Sequence, residues 1–112
     1  MSINPLGYYS GRHYTEYGEV VELLLKQAKF EDAERLLLAL IEVIEQESRL
    51  MDWGVAPWYY GKLAILYRKQ KRRNDEIAIL ERFAAQKHAS GAMPPKLLDR
   101  LRKLKNDGDE IV

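Results

Sequence analysis

Tyr17-Gly-Glu-Val-Val-Glu-Leu-Leu-Leu-Lys-Gln27 lies over Tyr60-Gly-Lys-Leu-Ala-Ile-Leu-Tyr-Arg-Lys-Gln70 at an offset of 43 residues. Carried on to Ile41 and Ala84, the alignment holds seven identities in 25 positions: Tyr17/Tyr60, Gly18/Gly61, Leu23/Leu66, Lys26/Lys69, Gln27/Gln70, Asp32/Asp75 and Leu37/Leu80. Half of the other pairs keep their apolar or polar character. A repeat of this length means two copies of one supersecondary unit, stacked so that each helps bury the other's apolar face. It points to an all-α fold and moves the expected function toward binding.

Working outward, apolar residues recur with helical spacing. Tyr17, Val20, Val21, Leu24 and Ala28 form a one-sided stripe on a first helix read from Tyr14 to Gln27. After a tight turn at Lys29-Phe30, a second helix runs from Glu31 through Leu36, Leu37, Leu40, Ile41 and Ile44 to about Met51. Its apolar arc is wide enough to pack on two neighbours. Gly54 reads as its stop and Pro57 as the first residue of a third helix, which continues to Gln70. Asn74 reads as the N-cap of a fourth helix that turns Ile77, Leu80, Phe83 and Ala84 inward and ends at Ser90-Gly91. Pro94-Pro95 opens a short fifth helix carrying Leu97, Leu98, Leu101 and Leu104. The expected organisation is an extended arm over residues 1–13, a single helical domain over 14–105, and a flexible acidic tail over 106–112.

Composition narrows the function classes. Hydrophobic residues at 46% and charged residues at 31% describe a globular chain rather than a disordered one. With no cysteine there is neither a disulfide scaffold nor a thiolate metal site, which suits a reducing cytoplasm. The first residues carry no basic region followed by an apolar run, so no secretion signal is expected, and no membrane span is visible. The net charge of +1 conceals an asymmetry: Thr15 to Asp52 sums to −6, and Trp53 to Lys105 to +9. Such a division bears on association and on polyanion binding, not on fold.

The turn Ala28-Lys-Phe-Glu-Asp-Ala33 resembles that of a tetratricopeptide repeat, with a small residue, an aromatic, two acids and an alanine that opens the second helix. Tyr17, Val20, Val21 and Leu24, then Tyr60, Leu63, Ala64 and Tyr67, fall in that family's signature slots. The likeness spans Tyr14 to Lys105. It departs in its longer period, in Val21 where a small residue is usual, and in a second turn lacking the aromatic and the alanine. The resemblance implies two antiparallel hairpins stacked right-handed with the fifth helix as a cap. It also implies a groove, lined by the first helix of each hairpin, that binds a protein or peptide. Its slots would include Glu22, Leu25 and Lys26, then Trp58, Ile65, Arg68 and Lys69. Gly18 and Gly61 read as mid-helix glycines where something approaches closely, most simply a neighbouring helix or the arm.

Two other readings use the charge asymmetry. Lys71, Arg72 and Arg73, with Arg100, Arg102 and Lys103, could meet the phosphates of a nucleic acid. The acidic and basic halves could instead pair between two copies as a homodimer. Catalysis has little support. Glu42, Glu45, Glu47 and Asp52 read as a solvated helix face, and His13 and His88 as surface histidines without metal-ligand companions. No phosphate loop or nucleophile elbow is present, and no cofactor is expected.

Overall fold

The arm does not remain extended. Ser10 (φ 51°) and Gly11 (φ 88°) both adopt positive φ, the requirement of a two-residue hairpin turn. They join strands β1 (Tyr8–Tyr9) and β2 (Arg12–His13), which pair antiparallel with Tyr8 opposite His13. The computed structural model describes residues 5–109. The first four residues of the arm and the last three of the tail lie outside these. Contacts divide the chain into two units, Met1–Trp53 and Gly54–Val112.

In the first unit, the helix expected from Tyr14 begins as a 3-10 turn, Tyr14–Tyr17. His13 caps it: its ring Nδ1 accepts from the Thr15 amide, and its own amide donates to Glu16. The Tyr17 hydroxyl donates to the Tyr9 carbonyl at 2.6 Å and ties the turn to the hairpin. Helix α1 (Gly18–Lys26) follows, so Gly18 opens the α-helix rather than interrupting it. Helix α2 (Phe30–Met51) packs on α1 along one side and on the hairpin and 3-10 turn along another, which its wide apolar arc anticipated. Tyr17, Val21, Ala33, Leu37, Leu40, Ile41 and Ile44 form the core, whereas Val20 is partly exposed and Ala28 lies in the turn. Asp52 in the left-handed region (φ 55°) ends α2, not Gly54.

The second unit holds α3 (Pro57–Lys69), α4 (Arg73–Ala84) and α5 (Met93–Asp109). Pro57 is the first residue of α3, where its missing N–H costs nothing. Helix α4 begins one residue before Asn74, and Arg72 stands at its N-cap without a side-chain cap. It ends at Ala84, six residues before Ser90, because the Gln86 amide and the His88 ring meet the carbonyls of Arg82 and Phe83. The freed segment turns back, and Val55 donates to the Lys87 carbonyl at 2.8 Å. A side chain at Gly54 would run into the backbone of His88 and Ala89, so glycine is required there. The core comprises Val55, Tyr59, Tyr60, Leu63, Ala64, Leu66, Tyr67, Ile79, Leu80, Phe83, Leu101 and Leu104; Ala84 is exposed. Helix α5 packs on both α3 and α4 and runs to Asp109, past the Asn106 boundary read from polarity.

The repeat is legible in the backbone. Gln27 and Gln70 end α1 and α3 with nearly the same dihedrals, and Lys29 and Arg72 precede α2 and α4 likewise. Between them Ala28 (φ 56°) and Lys71 (φ 58°) occupy the left-handed region. Lys29 donates to the Leu24 carbonyl and Arg72 to the Tyr67 carbonyl, both at 2.9 Å.

Candidate functional site

The turn after α3 sets the site. In the first copy the opening of α2 buries Ala33; at the aligned position α4 buries the carboxylate of Glu76, 2% exposed. Burying an unpaired carboxylate is prohibitive, so it must be met by donors. Arg68 from α3 donates to it through Nε at 3.1 Å, with Nη2 3.0 Å from the same oxygen. Arg100 from α5 donates through Nε at 3.0 Å and Nη2 at 3.4 Å. One carboxylate therefore joins all three helices of this unit, and it carries only one of the two opposing charges.

Two hollows adjoin this cluster. The larger, about 380 Å³, lies between α3 and α5. Ala64, Leu80 and Leu97 supply apolar lining, and Trp58, Ile65 and Met93 add larger side chains. Ile65 is 42% exposed and Met93 40%. Lys62, Lys96, Arg68 and Arg100 are its charged members. Lys62 stands over the Trp58 ring, 5.4 Å from its centroid, and Tyr59 meets Trp58 edge to face. Burial pushes the Tyr59 phenol above its ordinary range. The smaller hollow, about 230 Å³, is lined by Arg68, Lys71, Arg73, Glu76, Arg100 and Leu104.

Of the residues read as a partner groove, Trp58, Ile65 and Arg68 come together in the larger cleft, while exposed Lys69 does not line it. Glu22, Leu25 and Lys26 belong to the first unit, where Leu25 is half-buried and the other two are exposed. The neighbour at Gly61 is α5: a methyl there would sit 3.5 Å from Leu97, an ordinary contact. The third-helix face read as a groove therefore meets α5 at Gly61, and a cleft lies between the two helices.

The basic residues separate into two sets. Arg72 pairs with Asp75 at 2.8 Å, bonds Gln70, and covers the Tyr67 ring; Arg102 and Lys103 share Asp99; Lys105 meets Glu81. Hydrogen bonds from Arg102 and Lys103 hold the Asp99 carboxyl below the usual carboxylate range. These cations are largely matched, which weakens the case for a broad phosphate-binding face. Arg68 and Arg100 instead share the buried Glu76 carboxylate, and Lys71 and Arg73 line the same hollow.

In the first unit, a carboxylate face read as solvated is partly buried. Glu45 and Glu47 are each 7% exposed, and Glu47 lies 3.6 Å from His13 Nε2. His13 is thereby a packing residue, and Gly7 at φ 82° leaves room where a side chain would strike this pair. His88 also departs from a surface role, stacking on Phe83 with centroids 4.4 Å apart. Among the described residues no cluster of histidine and acid side chains could hold a metal ion, and no helix is long and apolar enough to cross a membrane. No family model matches the chain, and no curated protein or solved structure matches it at a significant level.

Proposed function

We propose that the chain is a non-catalytic interaction module built on two tetratricopeptide-like hairpins. The α3–α5 cleft binds a short peptide that offers one apolar side chain flanked by acids. The observation that carries this reading is the cleft's composition: Ile65 and Met93 stay exposed over an apolar lining, and all four charged residues around it are cationic. An apolar hollow rimmed by one sign of charge favours an anchor residue with opposite charges beside it. The resemblance of the first turn, and of the signature slots in both copies, to tetratricopeptide repeats supports peptide recognition by the first helix of a hairpin. Here that role falls to Trp58, Ile65 and Arg68, without Glu22, Leu25 and Lys26.

Panning a random peptide display library against the protein tests the proposal. Enriched sequences are expected to combine a leucine-, isoleucine- or phenylalanine-like residue with neighbouring aspartate or glutamate. Ile65→Glu should weaken their binding at least about tenfold, the cost of placing a charge in an apolar contact. Ile65 is exposed and lies off the Glu76 cluster, so the variant keeps the fold. Replacing Arg68 would not serve, because it would disturb Glu76 as well. Absence of enrichment, or enriched peptides indifferent to Ile65→Glu, would remove the reading.

A further inference from the structure

We infer that the recess over Glu76 is a binding site for a dianionic phosphate group, as inorganic phosphate or a phosphate monoester. This goes beyond the peptide-cleft proposal and stands or falls separately. Four cationic side chains, Arg68, Lys71, Arg73 and Arg100, line a hollow of about 230 Å³ whose one acid is Glu76. Glu76 cancels one positive charge and leaves three. The bonds to Glu76 use Nε and Nη2 of Arg68 and of Arg100. Their Nη1 groups are not engaged by the carboxylate. Arg73 donates to the Leu104 carbonyl, a partner without net charge. Lys71 is exposed and has no ion pair among the described residues.

Three properties favour a phosphate dianion. The surplus positive charge repels itself, and a doubly charged anion relieves more of that repulsion than a carboxylate can. Glu76 fixes the two guanidinium groups before any ligand arrives, so little side-chain entropy is lost on binding. The hollow is several times the roughly 30 Å³ that one water takes up in the liquid, so a ligand can displace solvent there. Sequence alone did not single out Glu76 from the other acids. Its alignment with buried Ala33 was the available signal.

The test is a nitrogen-edited NMR titration at about pH 8, where phosphate monoesters are dianions, with chloride holding ionic strength constant. Inorganic phosphate, O-phosphoserine and dimethyl phosphate are the probes. Expected shifts centre on the Nε–H groups of Arg68 and Arg100 and the amides of residues 71–76. Dimethyl phosphate, with one charge, should bind at least about tenfold more weakly, and Lys71→Glu should weaken phosphate binding by a similar factor. Lys71→Arg should restore most of it. Tighter binding of phosphoserine would assign a phosphorylated side chain as the source, and tighter binding of inorganic phosphate the free ion; either supports the site. Shifts spread over all lysines, equal binding of the diester, or indifference to Lys71→Glu would each overturn it.

Discussion

Glu76 stands where the first copy has Ala33, and its carboxylate ties α4 to α3 and α5. Its carboxylate is buried while both arginines are partly exposed, with side chains 46% and 35% accessible. Removing the acid leaves charges that water can still reach, whereas removing the arginines strands a carboxylate. Glu76→Gln should therefore cost about 1–2 kcal/mol, and the Arg68→Ala, Arg100→Ala pair about 3–5 kcal/mol, measured by urea unfolding. Gly54→Ala should cost at least about 2 kcal/mol, because the obstruction is backbone and cannot rotate away. Asp99 belongs to the solvent-exposed side of the same helix system. Its folded-state pKa is lowered, first by the hydrogen bond from Arg102 and then by that from Lys103. Any stability it adds is present above the unfolded carboxylate value and is lost as pH falls through the folded one. The difference in melting temperature between the chain and Asp99→Asn should accordingly fade below about pH 4 and in high salt.

The two helix-to-helix turns place Ala28 and Lys71 in left-handed backbone that glycine would adopt without strain. Ala28→Gly and Lys71→Gly should each stabilise the chain, by up to about 1 kcal/mol, less the entropy that glycine adds to the unfolded state. Thermal unfolding reads this directly, and equal gains at both turns would reflect their common geometry. Elements with strong helical periodicity were legible: α2 and α3 lie close to where the spacing of Leu37, Leu40, Ile41 and Ile44, and of Pro57, Tyr60 and Leu63, places them. Elements governed by contacts between distant residues were not. The β-hairpin depends on a turn at Ser10-Gly11 and on Tyr17 reaching Tyr9, neither of which has a helical period. The early end of α4 depends on Val55 meeting Lys87, 32 residues away. The candidate cleft was half legible: Trp58, Ile65 and Arg68 followed from repeat slots, but the fifth helix as its opposite wall did not. The amphipathic leucines of α5 fix which side is buried, not which helix they meet.

Across the whole chain, the change of charge and the change of contacts fall at the same place. The acidic run closes at Asp52 and the first cation of the basic run is Lys62, and the units divide in the uncharged stretch between them, at Trp53 and Gly54. No Gly-rich or Ser-rich linker marks the division. Within the basic unit, most outer cations have a local acid, and the surplus is concentrated around Glu76 and along the cleft. A partner drawn by that surplus would associate faster at low salt, with the apolar anchor setting how long it stays. The two tryptophans allow the most direct measurement. Trp58 lines the cleft, whereas Trp53 closes the other unit and is 46% exposed. Their indole N–H signals can be followed by NMR while a peptide selected for binding is added. The expected result is a saturable shift of the Trp58 indole, with Trp53 unmoved and the response lost in Ile65→Glu. A shift of Trp53 alone, or a Trp58 response that survives Ile65→Glu, would contradict peptide binding at the α3–α5 cleft.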